Sequence, residues 1–124
     1  MPAEQYMVYC TCPDETVARE VAGNLVERRL AACVNIVPGL TSVFFWEGEA
    51  QAEPEVLLLI KTSASAYPAL EQAILELHPY ELPEIVGVPL EKGLPGFLHW
   101  IHMETRGEAQ DDDTEEDASD PHTR

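Results

Sequence analysis

An α+β fold with a single antiparallel sheet is predicted by three features of this 124-residue sequence. Two segments carry apolar side chains at helical spacing, four others are β-rich, and a short final helix follows them. Their order is β-α-β-β-α-β plus the C-terminal helix. That is the split βαβ, or ferredoxin-like, arrangement, with two helices on one face of the sheet. The domain is expected to span residues 1–106, followed by an acidic disordered tail at 107–124.

Residues 5–12 are β-rich with apolar groups on both sides, as a central strand requires. Pro13 suits the first turn of a helix, and Asp14 and Glu15 its positive end. Val17, Val21 and Leu25, with Ala18, Ala22 and Val26, make its apolar stripe. Arg28 and Arg29 are expected to close it at its negative end. Residues 33–47 form a long β run broken by Pro38-Gly39, which marks an edge or a bulge. Its end is aromatic, Val43-Phe44-Phe45-Trp46. Glu47-Gly48-Glu49 turns the chain, and residues 56–60 return as a wholly apolar strand of a hairpin. Ser63 or Ser65 is expected to cap the second helix, with Pro68 in its first turn. Leu70, Ala73, Ile74 and Leu77 supply its buried stripe, and it ends at His78-Pro79. Residues 85–89 form a short strand. Phe97, Leu98 and Ile101 share one side of the last helix. The sheet face away from the two main helices is too apolar for water, so the last helix or another subunit is expected to cover it.

Charge excludes some partners. Residues 1–106 hold 15 acids against 6 Lys or Arg, a net −9, and residues 107–124 add 8 acids and one Arg, a net −7. Nucleic acid and anionic membrane both need a basic face, so neither is an expected partner. Residues 107–124 contain no large apolar side chain and cannot offset chain entropy by burial. Three cysteines are no disulfide framework, which favours a reducing compartment. The N-terminus has no basic and apolar leader pattern, and no run has membrane-spanning length. The expected location is the cytoplasm.

The chemistry concentrates in His78-Pro79-Tyr80-Glu81-Leu82-Pro83-Glu84-Ile85. Two prolines fix φ and bias the residues before them away from helix, so this loop is stiff. Cys10 and Cys12 form Cys-x-Cys on the first strand. Strand alternation is read as pointing the two thiols to opposite faces, where they make no ready chelate and serve as small core hydrophobes. Cys33 is read as core as well. A thiolate and an imidazole suit copper or zinc, which makes Cys10 and His78 a candidate pair, with a third ligand missing. His78 is alternatively a cap at the second helix's end. His99 and His102 share one side of the last helix and read as a solvated face. Lys61 either snorkels from its apolar strand or pairs with Glu81 or Glu84 at a pocket rim. Trp46 and Trp100 read as packing or interface aromatics. There is no Gly-rich phosphate loop, Ser nucleophile elbow or His-Glu-x-x-His, and the tail lacks calcium-loop spacing. Binding or assembly is therefore expected, not catalysis, and no organic cofactor.

Five blocks then match in order: Cys10-Thr11-Cys12-Pro13-Asp14-Glu15, Leu30-Ala31-Ala32-Cys33-Val34-Asn35-Ile36, Phe45-Trp46-Glu47-Gly48, Ile60-Lys61-Thr62 and His78 to Ile85. Over roughly residues 5–106 the chain resembles the CutA divalent-cation tolerance family. The resemblance implies a ferredoxin-like subunit in a tight homotrimer, cytoplasmic, and linked to tolerance of copper and other divalent ions. It implies copper ligation by Cys10 and His78, with Glu104 the candidate for a third, carboxylate ligand near the C-terminus. In such a trimer, clefts between subunits would be lined by Trp46, Glu47, Lys61, Tyr80 and Glu84. A rival reading is a trimeric small-molecule sensor similar to the PII proteins, using that cleft, although the short hairpin turn does not match their long mobile loop. A further rival is a scaffold that only assembles.

Overall fold

The computed structural model describes residues 3–106, so the expected disordered tail at 107–124 lies outside the described residues. The elements run β1 (Gln5–Cys12), α1 (Glu15–Glu27), β2 (Cys33–Trp46), β3 (Glu49–Ser63), α2 (Tyr67–Leu77), β4 (Val86–Pro89) and α3 (Pro95–Glu104). One sheet has the strand order β2-β3-β1-β4, and every neighbouring pair is antiparallel. This is the predicted split βαβ topology. No helix among the described residues is long and apolar enough to cross a membrane.

Alternation on the central strands sets the core. Val8 on β1 and Leu58 and Ile60 on β3 are fully buried against Val21 and Leu25 of α1 and Leu70 and Ile74 of α2. Both helices therefore pack on the face that carries the even-numbered residues of β1. The other face carries Met7, Tyr9 and their register partners Val88, Val86, Lys61 and Leu59. At one end of that face, Thr105 Oγ1 at the close of α3 donates to Ser63 Oγ at 2.8 Å, and Gln5 and Ser63 are buried. Val86 and Val88 remain about half exposed in the single chain.

Several boundaries differ from the sequence reading for local reasons. Pro13 precedes α1 instead of opening it. Asp14 is the N-cap, and its carboxylate accepts from the Val17 amide at 2.9 Å. Arg28 is the C-cap, but Arg29 leaves the helix in the left-handed region at φ 61°. Its guanidinium donates to the carbonyls of Met103 at 2.9 Å and Glu104 at 3.3 Å. It thus serves the C-terminus of α3, not that of its own helix. The N-cap of α2 is Ala66; Ser63 Oγ accepts from the Ala66 amide one turn early, at 3.2 Å.

The largest correction concerns β3. It begins at Glu49, not near Val56, because Glu47 (φ 52°) and Gly48 (φ 84°) form a two-residue hairpin turn with both residues left-handed. The expected irregularity at Pro38-Gly39 is a register shift between Val37 and Leu40. Beyond it, among the described residues, 40–46 and 49–55 pair only with each other, since β1 meets β3 no further than Cys12↔Val56. A two-stranded ribbon of seven residues, about 23 Å long, therefore projects past the main sheet. It exposes Val43 and Phe45 at 73% each and Trp46 at 51%.

The Arg29 contact joins α1 to α3 across most of the chain, and charge-assisted bonds of this kind contribute about 1.5–3 kcal/mol when shielded. Arg29→Ala, which keeps the left-handed backbone but removes both donors, should destabilise the fold by about 1–2 kcal/mol after allowance for partial exposure. Chemical denaturation of the variant and parent chains reads this directly. Equal midpoints and slopes would show that the contact contributes nothing.

Candidate metal centre

The free edge of β1 explains why His78 is held where it is. Odd-numbered residues of β1 aim their backbone groups towards β4; the Gln5 carbonyl, for example, accepts from the Leu90 amide at 2.9 Å. Pairing with β4 stops at Tyr9↔Val86. The Thr11 carbonyl lies beyond that point on the same edge, in a buried setting, and needs another donor. His78 supplies it: Nε2 lies 2.7 Å from Thr11 O. The other ring nitrogen, Nδ1, accepts from the Tyr80 amide at 3.2 Å. Those two bonds fix the neutral Nε2–H tautomer. His78 is also the C-cap of α2, its amide donating to Ile74 O at 2.8 Å, so the capping role holds as well.

Cys10 and Cys12 occupy the helix-facing side of β1 and are both fully buried. The expectation of opposite faces is incorrect. Side chains of a pleated strand alternate with period two, so residues i and i+2 share a face. Their two sulfurs and one nitrogen of the His78 ring all lie within 4.8 Å of one another. The thiols interact strongly. The hydrogen bond to Cys12, then burial, then the nearby charges of Cys12, Glu84 and Glu55 push the Cys10 thiol up, so it keeps its proton. The same bond lowers Cys12 against the opposing effect of its burial, making it the more acidic of the two. Two thiols and an imidazole, dry and convergent, form a soft donor set that fits copper or zinc better than a hard oxygen-seeking cation.

Around this group lies a polar strap that the sequence reading missed in part. Tyr80 packs against His78 with the rings tilted at 52° and centroids 4.7 Å apart, and its hydroxyl donates to Glu55 Oε2 at 2.8 Å. Ser42 Oγ donates to the other carboxylate oxygen at 2.7 Å. Glu55 thus ties the His78 loop to both strands of the ribbon. Its signal in the sequence was Glu53-Pro54-Glu55, two carboxylates in what is a strand and not a turn. Burial, then the Glu55 hydrogen bond and charge, push the Tyr80 phenol up to about 12. Glu84 is exposed but close enough to act on Cys10.

The remaining predicted residues stand elsewhere in the chain. Glu104 is exposed beside Thr105, at the Gln5 end of β1, about 17 Å along the strand from Cys10. Within one chain it does not reach the thiols, because α3 packs back across the start of β1. Lys61 pairs with the Asn35 side chain, not with Glu81 or Glu84, and sits opposite Cys33 and Met7 on the second sheet face. Cys33 is half-buried there. Trp46 and Glu47 lie at the ribbon tip. Trp100 packs with Phe97, centroids 5.5 Å apart, while His99 and His102 are exposed on α3.

Comparison with known proteins agrees with this architecture. Residues 6–104 match the family model described as CutA1 divalent ion tolerance protein. A mouse relative named "Protein CutA" is 45% identical over 105 residues, which are 85% of this chain and 59% of the relative. The chain therefore spans about three-fifths of that longer protein. The "Divalent-cation tolerance protein CutA" of Thermus thermophilus is 50% identical over 99 residues, 80% of this chain and 96% of the relative. A solved structure of the divalent cation tolerance protein (Cut A1) from Thermus thermophilus superposes with a TM-score of 0.77 at 50% identity, covering 78% of this chain and 94% of that one.

The strap has a consequence for pH. A phenol whose folded value is raised from 10 to about 12 adds stability that is complete below pH 10 and is lost as pH rises through about 12. Tyr80→Phe should remove that part of the alkaline stability loss, and the difference ultraviolet titration should show one phenol with a late midpoint missing. A parent-minus-variant curve with its midpoint at the ordinary tyrosine value would show that the Glu55 contact does not form.

Proposed function

The chain belongs to the CutA1 divalent ion tolerance protein family, and on that footing we propose that it is a non-catalytic, homotrimeric cation-binding protein of copper tolerance, with Cys10 and His78 as metal ligands. The observation that carries this reading is the meeting of a buried thiol from β1 and a buried imidazole from the end of α2, whose donor atoms lie within 4.8 Å. The ion here is cargo or signal. Both ligands come from rigid places, a central strand and a capped helix end, so little ordering is left for binding to do.

The trimeric part of the proposal rests on what a single chain leaves bare. A hairpin that pairs with nothing else is marginal in water, and this one also exposes Val43, Phe45 and Trp46. The second sheet face presents Val86 and Val88 next to Met7 and Tyr9. Three copies packed by that face would cover both surfaces and carry each ribbon tip, Trp46 and Glu47, towards the Tyr80–Glu84 loop of a neighbour. Lys61 would then lie inside the assembly. A reducing cytoplasm is the proposed setting, in keeping with three free cysteines. The two-residue turn at Glu47-Gly48 leaves no long loop for a PII-like mode of signalling.

Two measurements test this. Sedimentation equilibrium should return three times the 13.8 kDa chain mass, and Val86→Glu with Val88→Glu should lower it; a monomeric parent chain contradicts the assembly. Isothermal titration with Cu(II) should show weaker binding in His78→Ala than in the parent full-length chain. Since the acidic C-terminal residues are common to both, equal affinities would remove His78 from the site.

A further inference from the structure

Cys10 is one of two buried thiols beside the His78 ring. We propose that Cys12 is a metal ligand equal to Cys10, so that Cys10, Cys12 and His78 form a closed three-coordinate site of two thiolates and one imidazole that selects Cu(I) over divalent ions. This rests on the metal-binding reading for Cys10 and His78, and adds to it a ligand, an oxidation state and a basis for selectivity.

Geometry comes first. The three donor atoms lie within 4.8 Å of one another, and all three residues are buried. The pleat of β1 places both Cβ atoms on the same face.

Selectivity follows from the donor set. Soft thiolates favour Cu(I), whereas magnesium, calcium and manganese want oxygen ligands. Zinc in structural sites takes four ligands, and catalytic zinc keeps an open position for water. This group offers three donors in a dry setting. The carboxylates around it are engaged or exposed: Glu55 by Tyr80 and Ser42, and Glu84 at the surface. Three-coordination by soft ligands is a normal state for Cu(I), a d¹⁰ ion with no ligand-field demand.

The tautomer assigns the nitrogen. Metal-bound imidazoles commonly donate their other N–H to a carbonyl, which orients the ring. Here Nε2–H already donates to Thr11 O at 2.7 Å. Nδ1 carries the lone pair and is held only by the longer Tyr80 amide contact at 3.2 Å. A ring that keeps the Thr11 bond can therefore bind copper only through Nδ1, giving up the Tyr80 contact. Each thiol loses its proton to solvent and gains a Cu–S bond. Two protons leave, one Cu(I) enters, no electron moves, and the site changes from neutral to one net negative charge.

The test is anaerobic competition for Cu(I) against bicinchoninate on the full-length chain, combined with copper-edge X-ray absorption of the loaded protein. The expected spectrum has two sulfur and one nitrogen neighbour. Losing an outer-shell partner of a metal ligand costs roughly 10–100-fold in affinity, so losing a ligand should cost at least about 100-fold for Cu(I) in Cys12→Ala. Cu(II) affinity should fall by less than about tenfold, the lower limit for even an outer partner. Cys12→Ser, which keeps the volume, repeats the measurement if the alanine variant does not fold. A parent-like Cu(I) affinity in a folded Cys12 variant, or a spectrum with one sulfur, overturns the Cys12 assignment while leaving Cys10 and His78 intact. A parent chain that binds neither Cu(I) nor Cu(II) overturns both readings together.

Discussion

The His78 imidazole bond to the Thr11 carbonyl is the contact on which the site depends. β1 outruns β4, and a buried carbonyl left without a donor costs about 1–3 kcal/mol. One side chain removes that cost and at the same time ends α2, since His78 is its C-cap. The ring cannot be elsewhere without exposing an unmet acceptor in the core. Pro79 and Pro83 then restrict the loop that follows, and Tyr80 returns an amide to Nδ1. The imidazole has thus been placed by the ordinary demand of strand pairing.

From that point the constraint spreads outwards. Tyr80 reaches Glu55 on β3, and Glu55 reaches Ser42 on β2. Loop, strand and ribbon base are joined by three hydrogen-bonding side chains. A shift at the ribbon must therefore act on the ring that faces Cys10 and Cys12. The chain is strongly acidic, but its thiol and imidazole donors are buried, with Glu84 and Glu55 near enough to act on Cys10. Surface charge can gather cations nonspecifically; the buried donors are what can choose between them.

Most of the fold was legible because its signals are local. Helical stripes at Val17–Leu25 and Leu70–Leu77 and the apolar run 56–60 dictate element type whatever surrounds them. The start of β3 was not legible: only the apolar run 56–60 marks it as strand, while residues 49–55, whose ribbon has no fully buried residue, carry no such signal. Arg29 was misassigned because its partners, the carbonyls of Met103 and Glu104, are distant in sequence and carry no side-chain signature. Cys10 and His78 were legible as softness and stiffness, and the resemblance named them together. Cys12 was within reach of elementary strand geometry, since residues two apart on a strand share a face, and the opposite parity assigned to it hid its place beside Cys10. Glu55 is different: its role exists only once Tyr80 has been folded over it.

The Nε2–H of His78 is committed to Thr11, which leaves Nδ1 as the lone-pair nitrogen of the ring. Long-range ¹H–¹⁵N correlation of the histidine rings, on the metal-free chain and again with Cu(I), tests it most directly. The account predicts a His78 ring protonated on Nε2 in both states, with only the Nδ1 resonance moving when copper binds. A ring protonated on Nδ1 in the free chain, or an Nδ1 resonance that does not respond to the metal, would contradict it.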